Sequence, residues 1–178
     1  MTNQTIIHPF PSPYLPEAGG VELSLNEEVG YMIKSTEHFS FTVSNLDDTL
    51  RFFCDLLGLK ASPIAEVNNE DVQKIIKMPG ALLRISLVQT PDNRKIELIE
   101  YLKPKGKKID LKTSNPGVGH IAFLVDDIQK MYDDLIKKGV KFNSPPVWAA
   151  SNDGKGKWGV CYLKGPDDIT LEFIQVLE

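Results

Sequence analysis

From residue 37 onward, short apolar runs alternate with amphipathic stretches, and the whole pattern occurs twice. HFSFTVSNLDDTLRFFCDLLG begins at His38, and HIAFLVDDIQKMYDDLIKKG begins at His120, 82 residues later (120 − 38). In each, a histidine heads a strand-like run. An Asn or Asp follows where a helix N-cap belongs, and an amphipathic helix then runs to a glycine C-cap. Leu46, Leu50, Phe53 and Leu57 recur at helical spacing in the first copy; Ile128, Met131 and Leu135 do so in the second, with Ile136 a poorer fit. Such stripes are core faces. A second repeated pair, PDNRKIELI from Pro91 and PDDITLEFI from Pro166, has an offset of 75 (166 − 91), which carries Glu97 onto Glu172. Each is a Pro-Asp turn between runs rich in β-formers, at 82–89 with 96–102 and at 158–163 with 169–176, so each predicts a hairpin. Further strands over 59–67 and 141–148 complete β-α-β-β-β twice. An α+β fold of two tandem modules is expected, at 37–103 and 117–178, with a linker at 104–116.

Residues 1–36 do not share this pattern. MTNQTIIHPFPSPYLPEAGG places Pro9, Pro11, Pro13 and Pro16 ahead of a Gly pair, which favours an extended arm suited to wrapping or oligomer contact. VELSLNEEVGYMIK, residues 21–34, reads as a short strand or hairpin.

The duplication changes the reading of four polar residues. A lone histidine in an apolar run is ordinarily a core residue whose nitrogens are satisfied by backbone. Here His38 and His120 hold matched positions, as do Glu97 and Glu172, and each sits in an apolar strand where an unpaired polar group costs several kcal/mol. Strand alternation turns His38 away from Phe39 and Phe41, and His120 away from Ile121 and Phe123. If the modules pack with pseudo-twofold symmetry, two imidazoles and two carboxylates converge as a mixed nitrogen and oxygen set. That set suits a six-coordinate divalent cation with two positions left for water or substrate. His38, Glu97, His120 and Glu172 are therefore the expected metal ligands.

Composition narrows the class. The chain has 178 residues, 42% hydrophobic and 25% charged, as in an ordinary globular protein able to bury a core without disulfides. Its formal charge of −4 is spread along the chain, which argues against nucleic acid or an anionic membrane as partner. Cys54 and Cys161 are too few for a disulfide framework, no run reaches membrane-span length, and the N-terminus lacks signal-peptide layout, so a cytoplasmic protein is expected.

With EHFSFTV and GHIAFLV at the module starts and IELIEY and TLEFIQ at their ends, residues 37–177 resemble the vicinal oxygen chelate superfamily. That superfamily includes glyoxalase I, methylmalonyl-CoA epimerase, extradiol ring-cleaving dioxygenases, and fosfomycin and bleomycin resistance proteins. The resemblance implies an incomplete β-barrel cupping the metal, and a small-molecule substrate chelating it through adjacent oxygens. The metal would be Ni, Co, Zn, Mn, Mg or Fe, and a homodimer is expected. Members of the extradiol type use a further active-site histidine, and the third histidine here is His8, in the arm. Bleomycin-type binders generally lack the ligands, and fosfomycin enzymes resemble a three-ligand pattern. Glyoxalase I and the epimerase remain, and both abstract a proton next to a carbonyl, for which Glu97 and Glu172 are the candidate catalytic carboxylates. ELIEYLKP lacks the Asn-Trp-Gly common after the metal Glu of glyoxalase I, while IELIEYL is closer to the epimerase text. A metal-dependent lyase or isomerase is the expected function. The alternatives are an Fe(II) ring-cleaving dioxygenase and a non-catalytic ligand-binding or resistance protein. Residues 145–159, with Trp148, Lys155, Lys157 and Trp158, are expected as a solvated connector or a loop closing over substrate. KPKGKK at 103–108 reads as an exposed linker, and Arg51 and Arg84 as surface ion-pair partners.

Overall fold

The computed structural model describes residues 32–150, 154 and 156–177. The Pro-rich arm and residues 21–31 lie outside them, and 32–34 carry no strand. The chain enters β1 (Phe39–Val43) and turns into α1 (Leu46–Arg51), where extended Asn45 caps the helix by accepting from Asp48 N at 3.1 Å. The helix widens into a π-helical turn at Phe52–Leu56 and stops before Gly58, whose φ of 73° favours glycine. Then come β2 (Lys60–Ala61), β3 (Ala65–Val67), α2 (Glu70–Ile76), β4 (Leu82–Gln89) and β5 (Lys95–Lys103). The second half repeats the plan with β6 (His120–Leu124), α3 (Ile128–Lys137), β7 (Lys141–Phe142), β8 (Val147–Ala150), β9 (Lys157–Lys164) and β10 (Thr170–Leu177). Asp127 caps α3 through Lys130 N at 2.9 Å, matching Asn45.

Each half forms a five-stranded sheet. The orders are β1-β5-β4-β2 with β3 also on β4, and β6-β10-β9-β7 with β8 also on β9. First and last strands are parallel neighbours in both, and the other pairings are antiparallel. Neither order closes on itself. Helices α1 and α3 cover one face, and Val43, Leu46, Phe53, Ile96 and Leu98 share a single core with Ile128, Leu135, Leu163, Leu171 and Phe173. Leu50, Leu57 and Met131 pack against that core, while Ile136 is exposed.

Three expectations change in detail. Strand 59–67 breaks between β2 and β3 at Ser62-Pro63, because proline has no N–H for the ladder; the Ser62 hydroxyl accepts from Leu87 N instead, at 3.1 Å. Strand 141–148 breaks likewise at Pro145-Pro146. The 145–159 segment is not all loop, since β8 lies within it and pairs with β9. Helix α2, capped by Asn69, is an addition between the strands expected at 59–67 and 82–89, a stretch given no element from sequence. Among the described residues no helix is long and apolar enough to cross a membrane.

Candidate functional site

The parallel pairing of first and last strands brings each histidine to its glutamate. In the first sheet Ser40 lies opposite Glu97, and His38 is two residues before Ser40 on the same face. In the second, Thr170 lies opposite His120 and Ala122 opposite Glu172. His38 Nε2 comes 3.4 Å from Glu97 Oε2, and His120 Nε2 comes 3.0 Å from Glu172 Oε2. All four side chains stand on the sheet face turned away from the helices. The four predicted ligands thus form two pairs rather than one cluster: among the described residues no group of three or more His, Cys, Asp or Glu is placed to hold one ion. Whether the modules pair within one chain or across two copies is left open by the sequence; within one chain the described residues keep the two pairs apart.

The pairs differ in their surroundings. Glu172 is buried, with 6% of its surface exposed. Burial raises its pKa, an effect opposed in part by His120. Tyr162 lies opposite Glu172 on β9, with its ring 5.3 Å from that of His120, and burial followed by the Glu172 charge raises the phenol. In the first sheet Leu87 takes the place opposite Glu97. There the neighbour is Glu37, whose Oε2 lies 2.6 Å from His38 Nδ1 and whose other oxygen pairs with Lys95. Hydrogen bonds from Lys95 and then His38 lower the Glu37 pKa.

Imidazole nitrogen and carboxylate oxygen in adjacent positions are a donor set that fits a divalent cation. Each pair supplies two donors, half of the expected set. A cavity of about 720 Å³, bordered by Ser40, Thr42, Tyr101, Lys105, Gly119 and Thr170, lies beside the strands carrying both pairs and is large enough for a small substrate.

The remaining candidates are structural. Arg51 pairs with Asp48, and Arg84 bridges Asp47 and Glu100. Burial pushes the Cys161 thiol up to about 11, which disqualifies it as a nucleophile at neutral pH. In the linker, Lys108 lies 3.5 Å from Asp167. Lys157 sits 5.0 Å from the Trp148 ring centroid.

Sequence reasoning passed over Glu37, Lys95 and Tyr162. Glu37 is signalled by adjacency to His38, and Tyr162 follows from counting back across the turn at 166–168 from Glu172. Glu100 and Gln175 were missed too. They occupy the same place under the 75-residue offset and accept from the first helical amides, Leu46 N at 3.2 Å and Ile128 N at 3.0 Å.

The Glyoxalase/Bleomycin resistance protein/Dioxygenase superfamily matches residues 35–173. A protein of Synechocystis sp. described as a probable lactoylglutathione lyase is 28% identical over 142 residues, covering 78% of this chain and 92% of its own. A glyoxalase family protein from Bacillus cereus has a similar structure, with a TM-score of 0.72 at 25% identity over 84% of this chain and 99% of that one. The trypanothione-dependent glyoxalase I of Leishmania major shares the fold, with a TM-score of 0.55 at 18% identity over 80% of this chain and 87% of its own.

Proposed function

Because the chain belongs to the Glyoxalase/Bleomycin resistance protein/Dioxygenase superfamily, we propose that it is a metal-dependent lyase or isomerase of glyoxalase or epimerase type. It takes a proton from the carbon next to a carbonyl in a small substrate with vicinal oxygens. The observation that carries this reading is the pair of matched His–Glu contacts, His38 with Glu97 and His120 with Glu172, on the open faces of two homologous sheets. The likeness to the Synechocystis protein, whose description names a lyase, supports the reaction class.

His38, Glu97, His120 and Glu172 would hold the cation, which when bound supplies Lewis-acid polarisation of the substrate carbonyl. The chain's own contribution is the base. Glu172 is suited to it because burial disfavours its charge, bringing its proton affinity closer to that of a carbon acid activated by a neighbouring carbonyl. Glu97 is the second candidate, in a more open setting. The cavity beside Ser40 and Thr170 would receive the rest of the substrate and restrict water.

One chain offers the ligands as two separate pairs, so we assign completion of each site to a second copy, in a homodimer. Besides the half-filled donor sets, the support is an apolar surface on the second sheet around its pair. Leu124 is 79% exposed, Val147 62% and Val176 59%, all on the face that carries His120 and Glu172. Modules 37–103 and 117–178 of opposite copies would then form the cup.

Elemental analysis of purified protein is expected to find a stoichiometric divalent metal, and His120→Ala and Glu172→Ala are expected to lose it. Substrate turned over in D₂O should carry deuterium on the carbon next to the carbonyl. A full metal equivalent retained in both variants would end the four-ligand reading. Oxygen consumption with a catechol and no exchange would replace the reaction class by ring cleavage.

A further inference from the structure

We propose that Glu37 is a positioning residue for His38, holding the proton on Nδ1 so that Nε2 presents its lone pair toward Glu97, with Lys95 anchoring Glu37. The inference rests on the metal-site reading above and extends it beyond the four ligands. His38 Nδ1 lies 2.6 Å from Glu37 Oε2, and the other Glu37 oxygen is ion-paired with Lys95. Lys95 stands two residues before Glu97 in β5 and on the same face, so one strand carries both the carboxylate of the pair and the cation that fixes its neighbour.

A neutral imidazole has one N–H and one lone pair. An ionised carboxylate at Nδ1 only accepts, which puts the proton on Nδ1 and the lone pair on Nε2. That nitrogen faces Glu97 Oε2 at 3.4 Å, and the oxygen is an acceptor as well. In that neutral tautomer two acceptors face each other, the arrangement of two ligands awaiting a cation, and carboxylates that orient metal-binding histidines act in this way.

The second pair lacks the device. The residue before His120 is Gly119, and the place of Lys95 is taken by Thr170, whose hydroxyl accepts from Lys164 at 2.8 Å. Among the described residues the His120 ring nitrogens have no polar partner but Glu172, at 3.0 Å, a distance at which Nε2–H can donate directly. The fold therefore does not require a carboxylate behind the histidine; the first pair has one in addition.

Nitrogen-15 NMR of histidines in the metal-free protein distinguishes the imidazolium from each neutral tautomer and so reads the proton's position directly. We expect His38 to carry its proton on Nδ1. In Glu37→Ala the proton should move to Nε2, free to donate to Glu97, and Glu37→Gln, which keeps an accepting oxygen, should restore Nδ1–H. The His120 signals should be the same in all three proteins, which also verifies the fold. Titration with Co(II) should show Glu37→Ala binding about 10- to 100-fold more weakly than the parent, with Glu37→Gln between them. A parent His38 protonated on Nε2, a tautomer unmoved by Glu37→Ala, or equal Co(II) affinity in parent and Glu37→Ala each overturns the proposal. Failure of the metal-site reading has its own signature, a parent protein that takes up no Co(II) whatever its tautomer, and it overturns the role of Glu37 as well.

Discussion

Gly159 shows how little room one residue can have in this fold. It lies opposite Trp148 across the β8–β9 pairing, and a Cβ at that position would meet the indole carbons at 2.9 Å. Lys157 lies 5.0 Å from the centroid of the same ring. Gly159→Ala must therefore displace the ring and disturb the cation contact. The expected cost is about 1–3 kcal/mol, the usual range for overpacking, read as a lower midpoint in thermal or urea unfolding. Gly106→Ala is the comparison, because nothing lies within 4 Å of the added carbon and the backbone there needs no glycine. That substitution should shift stability by less than about 0.5 kcal/mol. Equal losses in the two variants would show that contact with Trp148 is not what selects glycine at 159.

The same strand that presents a site glutamate on one face anchors a helix from the other. Glu97 and Glu100 are three residues apart in β5, as are Glu172 and Gln175 in β10, and odd spacing places the members of each pair on opposite faces. Glu100 accepts from Leu46 N and from Arg84, while Gln175 accepts from Ile128 N and donates to Asp126 O, so α1 and α3 are tied at their first turns to the strands that carry the site. Glu100→Ala leaves the Leu46 amide without this acceptor and Arg84 without its most buried partner. It should cost about 1–3 kcal/mol in urea unfolding, and Gln175→Ala should cost about 1–2 kcal/mol. If neither moved the midpoint, these side chains would not be the helix anchors. The elements themselves were legible in the sequence, because apolar period, Asn45 and Asp127 as caps and the Pro-Asp turns are local signals. The matched positions of His38 and His120, and of Glu97 and Glu172, were legible too, through duplication rather than through any one residue; that they hold a metal is a proposal. Helix α2 was not read from the sequence, since Val72, Ile75 and Ile76 keep helical spacing over only two turns after Asn69, and the structure buries none of it fully. Nor was the separation of the two His–Glu pairs from each other, which depends on how the sheets sit in space and leaves no mark on residue spacing.

At the scale of the whole chain, the two sheets are joined by more than their shared core. The Asp167 carboxylate accepts from Ser44 N at 2.6 Å and Ser44 Oγ at 2.7 Å, and lies 3.5 Å from Lys108, linking the end of β1, the linker and the turn before β10. Burial opposes the charge, but the Ser44 donors and Lys108 outweigh it and hold the Asp167 pKa below its ordinary value. A carboxyl with a depressed folded pKa contributes stability above its unfolded pKa and loses it as pH falls through the folded one. Asn tolerates the left-handed backbone at 167, where φ is 56°, so Asp167→Asn removes the charge without adding strain. The variant should lose about 1–3 kcal/mol at pH 7, and its deficit should shrink below about pH 4. A deficit independent of pH would mean that the charge is not what joins the sheets. The latch ties the two halves together within a copy, and under the proposed metal site a second copy would supply the other pair of ligands. A chain altered at His38 and Glu97 and another altered at His120 and Glu172 should each bind no metal alone. Refolded together, they can form a mixed dimer in which one chain's intact first pair meets the other's intact second pair, while the opposite site has no ligands at all. Shared sites therefore predict one recovered metal per mixed dimer, measured by elemental analysis of the separated species. If both pairs of a site came from one chain, the mixture would recover none.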